Sequence, residues 1–101
     1  MFVYNVTSRV EAAIAEPWLS WMQMEHIPQV LATGLFTQHR ILRLLDTDET
    51  EGQTFAVQYE VKTREAYAHY LETYDPPLHA AAQQRWGETV FSFRTFLEVI
   101  N

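Results

Sequence analysis

The chain has no cysteine. Disulfides, thiolate nucleophiles and thiolate metal sites are therefore excluded together, and a reducing compartment is the simpler expectation. Cations are scarce: seven Lys and Arg against thirteen Asp and Glu give a net charge of -6. Binding to a phosphate backbone depends on clustered positive charge, so nucleic acid is not an expected partner. No apolar run approaches the roughly 20 residues of a membrane-spanning helix. Met1-Phe2-Val3-Tyr4-Asn5-Val6 has neither the basic lead-in nor the unbroken apolar stretch of a secretory signal. The expectation is a soluble cytoplasmic protein with no membrane partner.

Other absences narrow the chemistry. The three glycines are isolated, so there is no phosphate-cradling loop, and Ser8, Ser20 and Ser92 lack the context of a nucleophile elbow. His26, His39, His69 and His79 form no i,i+4 pair and no His-Glu-x-x-His spacing. No metal is expected. No residue stands out as an axial haem ligand, and no cofactor is expected either. What the chain does have is apolar mass: 48% hydrophobic and 14% aromatic residues in a length of 101. That is enough to offset the ordering entropy of one core and too short for a second, so residues 1–101 are read as one domain.

Phe2 to Arg9 has a strand composition with apolar residues on both alternating faces. Pro17 suits the first turn of a helix, preceded by Glu16 at the positive end, and Trp18, Trp21, Met22 and Glu25 then fall on one face. Pro28 predicts a break or kink near His26, with a short second piece, Pro28 to Ala32, capped at Gly34. Phe36 to Leu45 reads as a second strand with mixed faces, Phe36, Gln38, Arg40, Leu42 and Leu44 on one of them. After an acidic turn, Thr54 to Val61 alternates cleanly, and the two strands form a hairpin. Thr63 caps a helix carrying Tyr67, Tyr70, Leu71 and Tyr74. Asp75-Pro76-Pro77 interrupts it and starts another, with Leu78, Ala81, Ala82, Arg85 and Trp86, which Gly87 stops. The last strand, Val90 to Ile100, puts Phe91, Phe93, Leu97 and Val99 on one face.

The order β-α-β-β-α-β around a tight hairpin is a ferredoxin-like α+β arrangement: a four-stranded antiparallel sheet with helices on one face. Such a sheet leaves its second face open, yet the first and last strands are apolar on both sides. A homodimer closing sheet against sheet is the simplest cover, with Arg40, Gln58, Arg94 and Glu98 as expected polar members of the interface.

Several motifs carry a resemblance. Val3-Tyr4-Asn5-Val6-Thr7, Trp18-Leu19-x-Trp21-Met22, Glu25-His26-Ile27-Pro28-x-Val30-Leu31-Ala32-Thr33-Gly34-x-Phe36, Val57-Gln58-Tyr59 and Phe93-Arg94-Thr95 resemble a bacterial family known only as a domain of unknown function. The resemblance covers nearly the whole chain. It implies a subunit of the dimeric α/β-barrel type, a group that includes small cofactor-free monooxygenases, EthD-like proteins, chlorite-dismutase relatives and stress-induced barrel proteins. It implies no particular reaction, because fold does not determine function.

The candidate catalytic residue is His26. As a neutral imidazole it could act as a general base or orient a ligand, its placement resembling that of a pocket histidine in EthD-like barrels; the structural alternative is that it caps the carbonyls of a broken helix. Trp18, Trp21 and Met22, with Glu25 and Tyr59, could wall a site for a flat apolar molecule, against the alternative of plain core. Arg40 and Arg94, mid-strand, suit an anionic ligand group or an ion pair with Glu60, Glu98 or an acid of a partner subunit. Two functions follow. One is a small dimeric barrel that binds an apolar or aromatic molecule between the first helix and the sheet, with cofactor-free oxygen or acid–base chemistry. The other is a non-catalytic structural or interaction module.

Overall fold

The computed structural model describes residues 1–101. Its centre is strand β1 (Phe2–Glu11), which pairs antiparallel with β3 (Gly52–Val61) on one side and β4 (Val90–Glu98) on the other. Strand β2 (Phe36–Arg43) pairs with β3 and completes the sheet in the order β2-β3-β1-β4. The architecture is ferredoxin-like, α+β, with both helical segments on one face of a four-stranded antiparallel sheet.

Because side chains alternate across a strand, the register assigns every sheet residue to a face. Tyr4 lies opposite Tyr59 and Phe96, Val6 opposite Val57 and Arg94, and Ser8 opposite Phe55 and Ser92. These face the helices. Tyr4, Phe55, Val57 and Tyr59 join Trp18, Met22, Ile27, Val30 and Tyr70 from the helices in one buried cluster. Each fully buried apolar side chain of this kind contributes about 1.5–3 kcal/mol.

Strand β2 departs from simple alternation. A bulge between Phe36 and Gln38 inserts one residue, so Phe36 keeps its place in the core while His39, Ile41 and Arg43 take the helix-facing register after it. Gln38, Arg40 and Leu42 are turned to the open face, and Phe36 does not share theirs as unbroken alternation would require.

The largest correction concerns the helices. The first runs without a break over residues 15–31: α1 (Ala15–Trp21), a π turn (Met22–His26) and α2 (Ile27–Leu31), with His26 and Ile27 both in right-handed helical geometry. The second does the same over residues 64–86: α3 (Arg64–His69), a π turn (Tyr70–Tyr74) and α4 (Asp75–Trp86). In each, the wide turn comes just before a proline, Pro28 or Pro76. A proline ring in a regular helix clashes with the carbonyl four residues back and removes a donor. The widened i→i+5 turn accommodates it, the Ile27 N–H donating to Met22 O and the Asp75 N–H to Tyr70 O. Helix ends follow the sequence more closely. Thr63 Oγ1 accepts from the Ala66 N–H, and Gly34 and Gly87 take positive φ beyond the two C-termini.

The open face has two halves. Across its middle runs a polar ladder: Arg40 Nε donates to Gln58 Oε1 (2.9 Å), Gln58 Nε2 to Asn5 Oδ1 (3.2 Å) and Asn5 Nδ2 to Thr7 Oγ1 (3.0 Å). Beside it, edge strand β4 exposes Phe91 (70%), Phe93 (54%) and Leu97. Arg94 and Glu98 are not on this face. They share a register with Val6 and Phe2 and point to the helix side. No helix is long and apolar enough to cross a membrane.

Gly52 opens β3 where the chain has no room for a side chain: a Cβ there would sit 2.7 Å from Val10 O. Since the obstacle is backbone of the central strand, Gly52→Ala is expected to lower stability by about 1–3 kcal/mol. Urea unfolding monitored by circular dichroism measures it.

Candidate functional site

Between the two helices and the β1–β4 half of the sheet lies a cavity of about 590 Å³, lined by 23 residues of which 14 are hydrophobic. The π turns shape its walls. Five residues of α-helix rotate the chain through about 500°, so i and i+5 would point about 140° apart. The i→i+5 turn brings them back into line, and Tyr70 and Asp75 both reach the cavity. Their neighbours at regular spacing, His79, Ala82 and Trp86, continue the same wall. From the first helix Trp18, Trp21, Met22, His26 and Val30 form the opposite wall, and Tyr4, Val6, Ser8, Tyr59, Ser92 and Arg94 make the floor.

Of the residues singled out in the sequence, Trp18, Trp21, Met22, His26, Tyr59 and Arg94 come together around this one space. Glu25 and Arg40 do not join them. Glu25 is exposed on the outer side of the π turn, and Arg40 lies on the opposite face of the sheet, tied to Gln58. The ion pair of Arg94 is also not among the acids expected for it. Its Nη2 lies 3.1 Å from Asp75 Oδ2, with Asp75 the better buried partner, and the guanidinium carbon is 5.8 Å from the centre of the Tyr4 ring. Tyr4, Asp75, His79 and Trp86 also line the cavity, and none of them was expected there from the sequence. Only the strand parity that pairs Tyr4 with Tyr59 could have signalled one of them.

His26 stacks on Trp21 at 5.0 Å between ring centroids and 27° between planes. Its helix continues past it, and its side chain makes no capping hydrogen bond. Burial drives its pKa below the ordinary imidazole value, and the negative charge of Asp75 offsets only part of that. The ring is therefore neutral near pH 7, with one nitrogen able to accept a proton. Ser8 and Ser92 share a hydrogen bond of 2.7 Å across the floor. No three His, Asp or Glu side chains converge in a metal-binding cluster. The cavity thus combines aromatic walls, one neutral base and one internally neutralised ion pair.

Two outcomes follow from these environments. The unfolded chain, with His26 near its ordinary pKa of about 6.5, binds more protons than the folded one in the window below that value. Stability should accordingly fall as pH drops through and below about 6.5, and His26→Gln should flatten that slope in thermal unfolding curves. Asp75→Asn leaves Arg94 without its countercharge and is expected to cost about 1 kcal/mol, a modest figure because the guanidinium reaches solvent. Denaturant melts of the variant beside the parent protein check it.

The fold is similar to solved structures that are distant in sequence. A dimeric ferredoxin-like protein from an uncultured marine organism is similar at a TM-score of 0.70 and 13% identity, covering 99% of this chain and 95% of that one. An EthD-family protein from Bacillus halodurans is similar at 0.70 and 12%, covering 99% and 100%. SnoaB, a cofactor-independent oxygenase from Streptomyces nogalater, is similar at 0.66 and 15%, covering 99% and 94%. At these identities the likeness establishes the fold alone. No curated protein matches the chain in sequence. A family model does, across residues 1–100, and the chain belongs to that family, described as a domain of unknown function, DUF4286.

Proposed function

We propose that this protein is a cytoplasmic, single-domain homodimer that binds a small apolar or aromatic molecule in the cavity between its helices and sheet. His26 is the residue placed to exchange a proton with that molecule. The observation that carries the reading is the cavity of about 590 Å³ with a neutral histidine in its wall. Ligand sites are typically 300–1,000 Å³, mostly apolar, with a few convergent polar groups. A module made only for assembly has no need of such a space or of a base facing it. The similarity to a cofactor-independent oxygenase supports a small organic substrate without supplying its identity.

The homodimer rests on the open sheet face. Phe91, Phe93 and Leu97 of β4 and Leu42 of β2 are exposed there beside the polar ladder. Covering them with a second copy would bury on the order of 1,200–2,000 Å², the range of a stable interface. Light scattering should return twice the 11.9 kDa subunit mass, and Phe91→Glu with Phe93→Glu should halve it. A single-subunit mass for the unaltered protein would remove the homodimer.

All three tryptophans, Trp18, Trp21 and Trp86, border the cavity, so intrinsic fluorescence reports on its occupancy. Titration with naphthalene should quench it saturably. Ala82→Phe, which places a ring in the space from α4, should abolish the saturable part while cooperative unfolding is retained. A linear response, the same for both proteins, would sink the binding function.

A further inference from the structure

Three tyrosine hydroxyls stand at the cavity without a protein partner. Tyr4 comes from β1, Tyr59 from β3 and Tyr70 from the second π turn, and the residues are 3%, 2% and 2% exposed. All three line the cavity. Their rings cluster, with Tyr4 5.7 Å from Tyr59 and 5.6 Å from Tyr70 between centroids. A buried phenol ordinarily finds a hydrogen-bond partner, since leaving one unmade forfeits solvation without return. Burial acts on all three hydroxyls, and Asp75 and Arg94 act on those of Tyr4 and Tyr70, but no hydrogen bond holds any of them. Nor are the oxygens sealed in. The one side-chain polar atom that is both partnerless and shut off from open space is Trp86 Nε1, so the phenol oxygens are not closed off, and the cavity is the space that all three residues line.

Burial raises the ionisation of each phenol well above the ordinary tyrosine value. The three remain protonated, each with an O–H to donate. Arg94 adds positive charge beside Tyr4, but its pairing with Asp75 already neutralises it. A ligand with a full negative charge would thus meet no uncompensated cation. A neutral, polarised oxygen suits the donors better, and a carbonyl oxygen can accept from more than one hydroxyl at once.

We infer that Tyr4, Tyr59 and Tyr70 form a hydrogen-bond donor set for the carbonyl oxygen of a ligand whose remaining surface is aromatic or apolar. This deepens the small-molecule reading above and rests on it. The tryptophan walls take the hydrocarbon part, and the tyrosine end fixes its orientation.

The test compares 1-tetralone with tetralin, two molecules of nearly the same shape that differ in one carbonyl, by calorimetry and tryptophan quenching. The parent protein should bind the ketone at least tenfold more tightly. Tyr4→Phe, Tyr59→Phe and Tyr70→Phe should each reduce that preference, and the triple variant should remove it. Because the lost hydroxyls have no protein partner, the unliganded variants should keep or raise Tm. Equal affinity of the parent protein for the two molecules, or a preference that survives in the variants, overturns the donor set and leaves the cavity's binding role standing. Failure of both molecules to bind overturns the donor set and the binding role together. A lowered Tm in the single variants shows that the hydroxyls serve the fold and overturns the inference on that ground. The single variants carry the test if the triple variant does not fold.

Discussion

A proline inside a helix forces a choice on the chain: break, or widen the turn before it. This chain widens it twice, at Met22–His26 ahead of Pro28 and at Tyr70–Tyr74 ahead of Pro76. The cavity depends on that choice. A break at either place would let the following segment swing away from the sheet, and one wall would go with it. A regular helix would hold the segment in place but turn Asp75 some 140° away from Tyr70. The wide turn meets both needs, since it keeps the helix going and realigns the residues on either side. That the same device stands at the same distance before a proline in both β-α-β halves gives the molecule a correspondence visible only in the backbone.

The electrostatic character of the site follows from which groups are matched and which are not. Asp75 and Arg94 neutralise each other across the gap between α4 and β4, so the half-buried carboxylate is not left as an isolated charge. His26 meets the same pressure by shedding its proton. On the opposite face, Arg40, Gln58, Asn5 and Thr7 satisfy one another in series. Polar groups are thus provided for nearly everywhere in the molecule, which makes the unpartnered tyrosine hydroxyls informative.

The parts of this architecture written in local chemistry were legible in the sequence. The alternation of Phe55, Val57, Tyr59 and Val61, the Thr63 cap and the glycines at positions 34 and 87 each act within a few residues, and element order then led to the sheet. The alternation of β4 was also readable, because nothing interrupts its period of two, but the side on which Arg94 and Glu98 fall was not. Legibility failed where one residue of phase was gained. The bulge at Phe36–Gln38 shifts the rest of β2 relative to Phe36, and the π turns convert two expected breaks into continuous helix. The bulge leaves no compositional mark, since it is a hydrogen-bond choice between two strands, and a proline marks a disturbed turn without telling a widened turn from a break. The lining of the cavity was legible where it is made of helix-face aromatics and His26, and illegible for Tyr4, Asp75 and the partner of Arg94, which meet only through tertiary packing.

The central position of β1 has a consequence for how the molecule assembles. Its first residues pair with the last of β4, Phe2 opposite Glu98, so one side of the middle strand is closed by residues almost the full chain length away. Contacts of such long range are slow to form, because loop-closure entropy is lost before any pairing repays it. Until β4 arrives, the flank of β1 that will hold it is an open edge bordered by Val6, Tyr4 and Phe2. The half of the sheet that floors the cavity is therefore the last to close, so folding and the making of the cavity end in the same event.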